Sequence, residues 1–469
     1  MTKIRFGTDG WRAAVAEDFT FSAVRRVAHG VARYIEADPQ RDNRVVVGYD
    51  RRFASERFAE NAADIIAQYG FEVILSDRAI PTQLSSFVAS RLDCVAFVVT
   101  ASHNQWQDNG IKIKDRTGAP AAKDVLRQIE ENIPDEEPVL ALSSKSASIQ
   151  DLTPPYLARL QELVDLDAIK SKPSHFVVDA IHGCGAGWLE RVITAQSVKF
   201  TGIRGERDAY FGGVNPEPIP PNITALQTEV ASNHTDGGIA FDGDADRVGL
   251  VTESGQFVNQ LQVYGLLYQH LLEDRRLLQP AVYTVSTTDM VPRLARAHGT
   301  QAYETPVGFK YVGPKMQEVN AIIGGEESGG FGFGFHLPER DGLLSALMLL
   351  EMRAQRSASF DELLNQLQRK YGPSEYSRID LHYTRAGYAD LVASTMSKLD
   401  QSAESAFSGE TVLAKEQMTE GNGFKLRFAD GSWLLFRFSG TEPVLRVYAE
   451  APSKSRVAQL LEAGKALAS

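Results

Sequence analysis

The sequence predicts three successive α/β units followed by an α+β unit, and three observations carry that prediction. Strand-like and helix-like patterns alternate from residue 20 to residue 370, which is the rhythm of an α/β layer architecture. Near residue 373 the texture changes to short strands around two helices. The length of 469 residues suggests three or four domains at roughly 100–200 residues each.

The first unit, 1–150, opens with helical periodicity over Phe19 to Ile35, then a β-branched run from Arg44 to Tyr49. Ser55 to Gln68 reads as a helix, and Phe71 to Leu75 and Cys94 to Val99 as strands. PDEEP and SSKSAS, between Ile133 and Ser148, form a polar surface connection. The second unit, 151–255, has a helix from Pro154 to Val164 and a strand from His175 to Ala180. The glycine-rich HGCGAG follows, then strands Gly238 to Phe241 and Val248 to Thr252. The third unit, 256–372, has helices Val258 to Leu272, Met290 to His298 and Leu343 to Arg353. Its strands are Val282 to Val285 and Ile322 to Gly324. The last unit, 373–469, carries strands Ser377 to His382, Phe424 to Phe428, Trp433 to Phe438 and Leu445 to Glu450. KYGPSE, with Gly372 and Pro373, places a hinge near residue 370.

A net charge of −11 argues against general nucleic-acid binding, which shows a basic footprint. It leaves room for a small phosphorylated substrate, whose site needs only a few local cations and amides. Cys94 and Cys184, the two cysteines, give neither a disulfide framework nor a zinc spacing. No apolar run approaches the roughly 18 residues of a membrane span, and MTKIRFGTDGWR has no apolar signal region. A cytoplasmic setting with no membrane partner is expected.

Five loops could carry chemistry. In VVTASHNQWQDNGIKI, residues 98–113, a buried strand ends at Ser102 and His103, and Lys112 follows. A hydroxyl beside an imidazole and an ammonium can be an assisted nucleophile, although Ser and Asn also favour plain turns. In FDGDADRVG, residues 241–249, Asp242, Asp244 and Asp246 alternate. In an extended segment that spacing puts three carboxylates on one face. Their mutual repulsion calls for a hard cation such as Mg²⁺ or Ca²⁺. Arg247 adjoins them and could pair with an anion beside the metal. An EF-hand would place Glu253 at its twelfth position, but it needs Gly where Arg247 stands, and Val248 to Thr252 reads as a strand. A solvated acidic turn is the plainer alternative.

In GGEESGGFGFG, residues 324–334, Glu326 and Ser328 could hydrogen-bond sugar hydroxyls, and the glycines allow close backbone approach. A flexible Gly-rich loop with incidental acids remains open there. RFSGTEPVLR, residues 437–446, sets Arg437, Ser439, Gly440 and Thr441 together as a phosphate cradle by composition, or else as a β-turn. In FGTDGWR, Arg12 follows a turn, where it could reach an anion. Taken together, the five suit phosphoryl transfer on a phosphorylated sugar or polyol, where positioning and charge neutralisation do most of the work.

Over its full length the chain resembles the α-D-phosphohexomutases, with TASHN, DGDADR, GEESGG and RFSGTEP in the family's order. The resemblance implies four domains with mixed sheets around a central cleft. It implies an intramolecular phosphotransferase in which Ser102 is a phosphoserine. Mg²⁺ would be held by Asp242, Asp244, Asp246 and a phosphoserine oxygen. Glucose 1,6-bisphosphate would form, reorient without leaving, and return its other phosphoryl group to Ser102. Arg437, Ser439, Gly440 and Thr441 would hold the non-reacting phosphate, and Glu326 and Ser328 the sugar hydroxyls. Arg12, His103 and Lys112 match family residues near the transferring phosphate. Lys112 would be a general acid or base, on the reasoning that neighbouring cations lower a lysine pKa.

The family's TASHNP has Gln105 in place of proline here, which frees φ. Phe309 and Gly330 stand where mannose-tolerant members often carry histidine. EESGG with ERDGL looks more like the glucose-specific phosphoglucomutases, in which a lysine matching Lys310 lies near the active site. The expected substrates are therefore glucose 1-phosphate and glucose 6-phosphate. Mannose phosphate comes next, and glucosamine phosphate after it, because its enzymes usually carry Gln where Glu327 stands. A metal-dependent phosphatase would release phosphate and would not need the distal cradle. A non-catalytic sugar-phosphate sensor could dispense with Ser102, Lys112 or a metal Asp. A monomer or a homodimer is expected.

Overall fold

The computed structural model describes residues 4–7, 10–37, 43–138, 146–384, 387–402, 406–407, 410–419, 421–439 and 443–467. The first sheet has the order Trp11–Ala14, Asp108–Lys114, Val95–Val99, Arg44–Tyr49, Glu72–Ser76, Ser148–Gln150. Its centre is parallel, because Val45 to Val47 pair with both Val73 and its neighbours and Val95 to Phe97. Val45, Val46 and Val47 are buried on both faces, as a central parallel strand requires. Asp108–Lys114 and Trp11–Ala14 add an antiparallel edge, so the sheet is mixed.

The second sheet runs Phe257–Val258, Val248–Val251, Gly238–Phe241, Ser174–Asp179, Val198–Ile203. The third runs Ala302–Thr305, Ala281–Thr284, Ile323–Gly325, Phe331–Phe333. Both combine parallel and antiparallel pairs. The fourth is antiparallel throughout, in the order Glu375–His382, Val444–Ala451, Trp433–Phe438, Gly423–Phe428, Glu410–Gln417, Ala406–Phe407. Three α/β units and a last α+β unit are therefore present.

The first three units share one apolar core. Val46 and Leu84, Phe241 and Leu250, and Tyr264 and Leu344 belong to a single packed cluster. Helix Gly342–Arg356 lies at its heart and is buried from Gly342 to Met352. Asp341 starts that helix by accepting the Leu344 N–H at 2.9 Å, a side-chain N-cap. The last unit has its own core around Leu426, Leu434, Phe436 and Val447. The chain passes into that unit at Gly372, where φ is +91°, and a smaller apolar cluster of Val285, Met418, Trp433, Leu435 and Tyr448 packs the third unit against it.

The expected helix Val258 to Leu272 starts later. Val258 pairs with Leu250 as a strand, and the helix begins at Gln260 behind an Asn259–Gln262 capping box. It ends in a π-helical turn, His270–Asp274. Helices Thr82–Leu92, Lys123–Asn132, Phe309–Val319 and Phe360–Tyr371 lie beyond what the sequence pattern predicts. Thr82–Leu92 is the instructive one: its Thr82, Gln83, Ser85 and Ser86 are all buried, so apolar periodicity could not announce it.

Lys114 and Glu339 form a fully buried ion pair between the first and third units. Breaking such a pair leaves one charge without its partner in a low-dielectric interior. Lys114→Met is expected to cost about 3–5 kcal/mol, and Lys114→Met with Glu339→Met to recover most of it. Urea unfolding of the two variants checks this. A double variant no more stable than the single one would mean that the pair does not carry the junction.

Candidate active site

Strand Val95–Val99 runs out at Thr100, whose hydroxyl accepts the Ser102 N–H at 2.9 Å. Ser102 sits in the left-handed region, φ +52°, and is fully buried. Its Oγ donates to Asp242 Oδ2 at 2.7 Å and lies 3.5 Å from His103 Nδ1. The chain then returns along Asp108–Lys114, where Lys112 pairs in register with Val98.

Asp242, Asp244 and Asp246 lie on the connection between Gly238–Phe241 and Val248–Val251. That connection is not extended. Ala245 N–H bonds back to Asp242 O at 3.1 Å and Ala245 has φ +59°. It is this tight turn that brings the three carboxylates together, rather than the period of a strand. One oxygen from each lies within 4.8 Å of the others, and all three residues are buried. The turn meets the Ser102 loop at Gly243, where a Cβ would stand 2.5 Å from Ser102 O. Only glycine permits that approach.

Cations surround the turn. Lys112 Nζ donates to Asp244 Oδ2 at 2.9 Å and Asp246 Oδ2 at 2.8 Å. Arg340 Nη2 lies 3.0 Å from Asp246 Oδ2. The Thr82 hydroxyl donates to Asp244 Oδ2 at 2.6 Å. Asp244 Oδ1 and Asp246 Oδ1 are buried with no hydrogen-bond partner among the described residues. Two orphaned carboxylate oxygens beside Asp242 make a hard-oxygen donor set that could hold Mg²⁺.

Burial, then Asp244 and Asp246, push the Asp242 carboxyl well above its usual range. Burial acts the same way on Asp244, but the Lys112 charge and the bonds from Thr82 and Lys112 overcome it and hold Asp244 low. Burial, then Arg247, Arg12, Lys112 and Arg52, push His103 well below the usual imidazole value, so it is neutral near pH 7. Lys112 differs from the sequence expectation. Its nearest charges are two carboxylates rather than cations.

Arg12 Nη1 donates to Asn104 Oδ1 at 2.6 Å, at the tip of the Ser102 loop. Arg247, also buried, lies 3.8 Å from Asp246 and 3.7 Å from Glu217. Glu326 and Ser328 occupy the turn between Ile323–Gly325 and Phe331–Phe333. Gly329 O accepts the Val248 N–H at 3.1 Å, so this turn rests on the carboxylate hairpin. Glu326 Oε2 is 3.4 Å from Arg340 Nη1. Arg340 thus bridges Glu326 to Asp246. It also explains Gly330, where a Cβ would stand 2.3 Å from Arg340 Cδ. Lys310 lies on the first turn of Phe309–Val319, its Nζ 5.3 Å from the Tyr311 ring centre.

Arg437 is the penultimate residue of strand Trp433–Phe438, in register with Arg446. Ser439 N–H closes the loop onto Val444 O at 2.9 Å. Gly440 and Thr441 lie outside the described residues. Burial raises the pKa of the Tyr448 phenol, Glu327 of the sugar-loop candidate adds to the rise, and Arg437 opposes it. Electrostatically, the third and fourth units meet there.

Arg52 carries no signal in the sequence, and Arg340, although it lies in the ERDGL stretch, is not marked there as a site residue. Each follows a charged or polar neighbour in a short turn, and its partners lie far away along the chain. Among the described residues, no helix is long and apolar enough to cross a membrane.

Known proteins resemble this chain along almost all of its length. Residues 3–139, 154–255 and 259–371 match the phosphoglucomutase/phosphomannomutase α/β/α domains I, II and III, and 395–465 match that family's C-terminal domain. A phosphoglucomutase/phosphomannomutase of Thermococcus kodakarensis is 28% identical, covering 98% of this chain and 97% of its own. A phosphoglucosamine/phosphogalactosamine mutase of Sulfurisphaera tokodaii is 26% identical, covering 96% of each. A crystal structure from Thermus thermophilus, named provisionally as a phosphomannomutase, is 33% identical with a TM-score of 0.86, covering 99% of each chain.

Proposed function

The chain belongs to the phosphoglucomutase/phosphomannomutase family, whose members are phosphotransferase isomerases, and from that membership we propose that it interconverts glucose 1-phosphate and glucose 6-phosphate through phosphoserine 102. The observation that carries the reading is the hydrogen bond from Ser102 Oγ to Asp242 in the buried carboxylate turn.

In the forward half-reaction the sugar's free O6 attacks the phosphorus on Ser102. The O6–P bond forms as the Oγ–P bond breaks, and the O6 proton is handed on to Ser102 Oγ, with neutral His103, 3.5 Å from Oγ, as the relay. After the glucose 1,6-bisphosphate turns over in the site, Ser102 Oγ attacks the phosphorus on O1, the O1–P bond breaks as the Oγ–P bond forms, and the Oγ proton passes by the same route to O1. Mg²⁺ held by Asp242, Asp244 and Asp246 would neutralise charge on the transferring phosphoryl oxygens. Lys112 and Arg12 add positive charge beside them, and Arg247 adds to it from the turn itself. Glu326 and Ser328 accept and orient sugar hydroxyls, with Lys310 at the edge of that turn. Arg437, Ser439, Gly440 and Thr441 grip the phosphate that is not reacting. That grip distinguishes a mutase from a phosphatase, which has no second phosphate to hold.

The preference for glucose rests on Phe309 and Gly330. Arg340 lies over the Phe309 ring at 5.7 Å and fills the space beside Gly330, so a side chain at 330 would displace it. The test supplies Mg²⁺, a trace of glucose 1,6-bisphosphate, and separately the 1-phosphates of glucose, mannose and glucosamine. Glucose 6-phosphate in large excess is expected. Equal formation of mannose 6-phosphate would make the enzyme dual-specific, and faster glucosamine 6-phosphate formation would overturn the glucose reading.

A further inference from the structure

Arg52 lies between strand Arg44–Tyr49 and helix Ser55–Gln68, and its side chain is wholly buried. Nη2 donates to Ser102 O and Asn104 O, each at 2.6 Å. Nη1 donates to Gln105 O at 2.9 Å and Asp108 O at 3.0 Å. Nε lies 3.3 Å from Asp50 Oδ2. One guanidinium therefore gathers four carbonyls of the single loop that presents Ser102. The buried Ser102 carbonyl needs a donor, and the carbonyls of residues 102, 104 and 105 lie outside any strand or helix, Gln105 O also accepting the Asp108 N–H at 3.1 Å. A planar fork with five N–H groups can serve four carbonyls at once, whereas an ammonium with three donors cannot.

The other face of the guanidinium meets the second unit. Arg52 Cζ lies 4.9 Å from the centre of the buried Phe211 ring. Arg207 of that unit donates to Arg52 O at 2.8 Å and Arg51 O at 3.0 Å. Asp50 is held in turn by the Ser55 hydroxyl at 2.7 Å and the Arg52 N–H at 2.9 Å. The carboxylate turn that receives Ser102 Oγ also belongs to the second unit. Arg52 is thus fixed to both sides of the Ser102–Asp242 contact. Its grip on Gln105 O holds the position where the free φ of glutamine would otherwise loosen the loop.

We propose that Arg52 is the positioning residue of the Ser102 loop, holding the left-handed Ser102 against Asp242 by chelating the carbonyls of residues 102, 104, 105 and 108. It touches neither the sugar nor the transferring phosphoryl group. The proposal deepens the mutase reading and rests on it for the kinetic arm of its test.

The test is Arg52→Lys, with Phe211→Leu as a second variant that keeps the guanidinium and removes the ring beneath it. Steady-state kinetics with glucose 1-phosphate and amide hydrogen exchange are measured on both and on the wild type. Arg52→Lys is expected to lower kcat by about 100-fold with KM changed less than about threefold. Exchange should quicken at 102–110 and stay unchanged in the cores. Phe211→Leu should quicken the same amides to a smaller degree. Wild-type kinetics and exchange in Arg52→Lys would overturn the proposal. So would loss of protection throughout the first unit, which would mark Arg52 as merely structural. If the wild type isomerises no hexose phosphate, the mutase reading fails, and exchange at 102–110 still decides the role of Arg52.

Discussion

Ser102→Ala is expected to lower hexose-phosphate isomerisation by roughly 10⁴-fold or more, because on the proposed mechanism it removes the atom that carries the phosphoryl group between the two half-reactions. Substrate binding should change little, since the proposed grip on the sugar and the distal phosphate lies in other loops. The fold should survive. Alanine keeps the backbone, although φ +52° and the lost bond to Asp242 are expected to cost about 1–3 kcal/mol together. Steady-state kinetics and phosphate incorporation from glucose 1,6-bisphosphate measure the two effects. A variant that keeps a tenth of wild-type turnover would remove Ser102 from the mechanism.

Chelation is expected to have the second-largest effect. Stripping divalent cations with EDTA should reduce turnover by about 10³-fold, the several kcal/mol of charge stabilisation that a bound cation supplies to a phosphoryl group, and Mg²⁺ should restore it. Stability should follow. A cation bound only by the folded chain adds about 2.7 kcal/mol at a hundredfold excess over its Kd. Asp242→Asn separates the causes. Burial and two like charges disfavour the Asp242 carboxylate, so the metal-free variant should melt above the metal-free wild type. It should then gain nothing from Mg²⁺, because a ligand is gone. Thermal melts with and without Mg²⁺ give both comparisons. A wild type whose activity and Tm ignore EDTA would assign the three aspartates a purely structural role.

The chemistry of the site is readable where it is local in sequence. Ser102 at the end of an apolar strand and three aspartates in five residues announce themselves, and the structure brings them to one point. The geometry that joins them is less readable. The alternation of Asp242, Asp244 and Asp246 suggests an extended face, but a turn with Ala245 in the left-handed region does the work. Lys112, expected among cations, instead bridges two carboxylates, a contact that spans 132 residues to Asp244. Arg340 and Arg52 also act through distant partners, and no local pattern encodes that. The fold shows the same division. Val45 to Val47 read directly as a buried strand, whereas helix Thr82–Leu92 buries Ser85 and Ser86 and meets the carboxylate turn through Thr82 and Gln83. Val258 leaves its helical pattern to pair with Leu250, a tertiary contact that overrides local propensity.

On the proposed mechanism Ser102 hands its phosphoryl group to the sugar and to nothing else. The most direct measurement loads Ser102 with radiolabelled phosphate from labelled glucose 1,6-bisphosphate, removes the excess, and adds unlabelled glucose 1-phosphate. In a single turnover the label is predicted to leave Ser102 and appear on glucose 6-phosphate and glucose 1,6-bisphosphate. Label recovered as inorganic phosphate, or retained on the protein, would contradict the account.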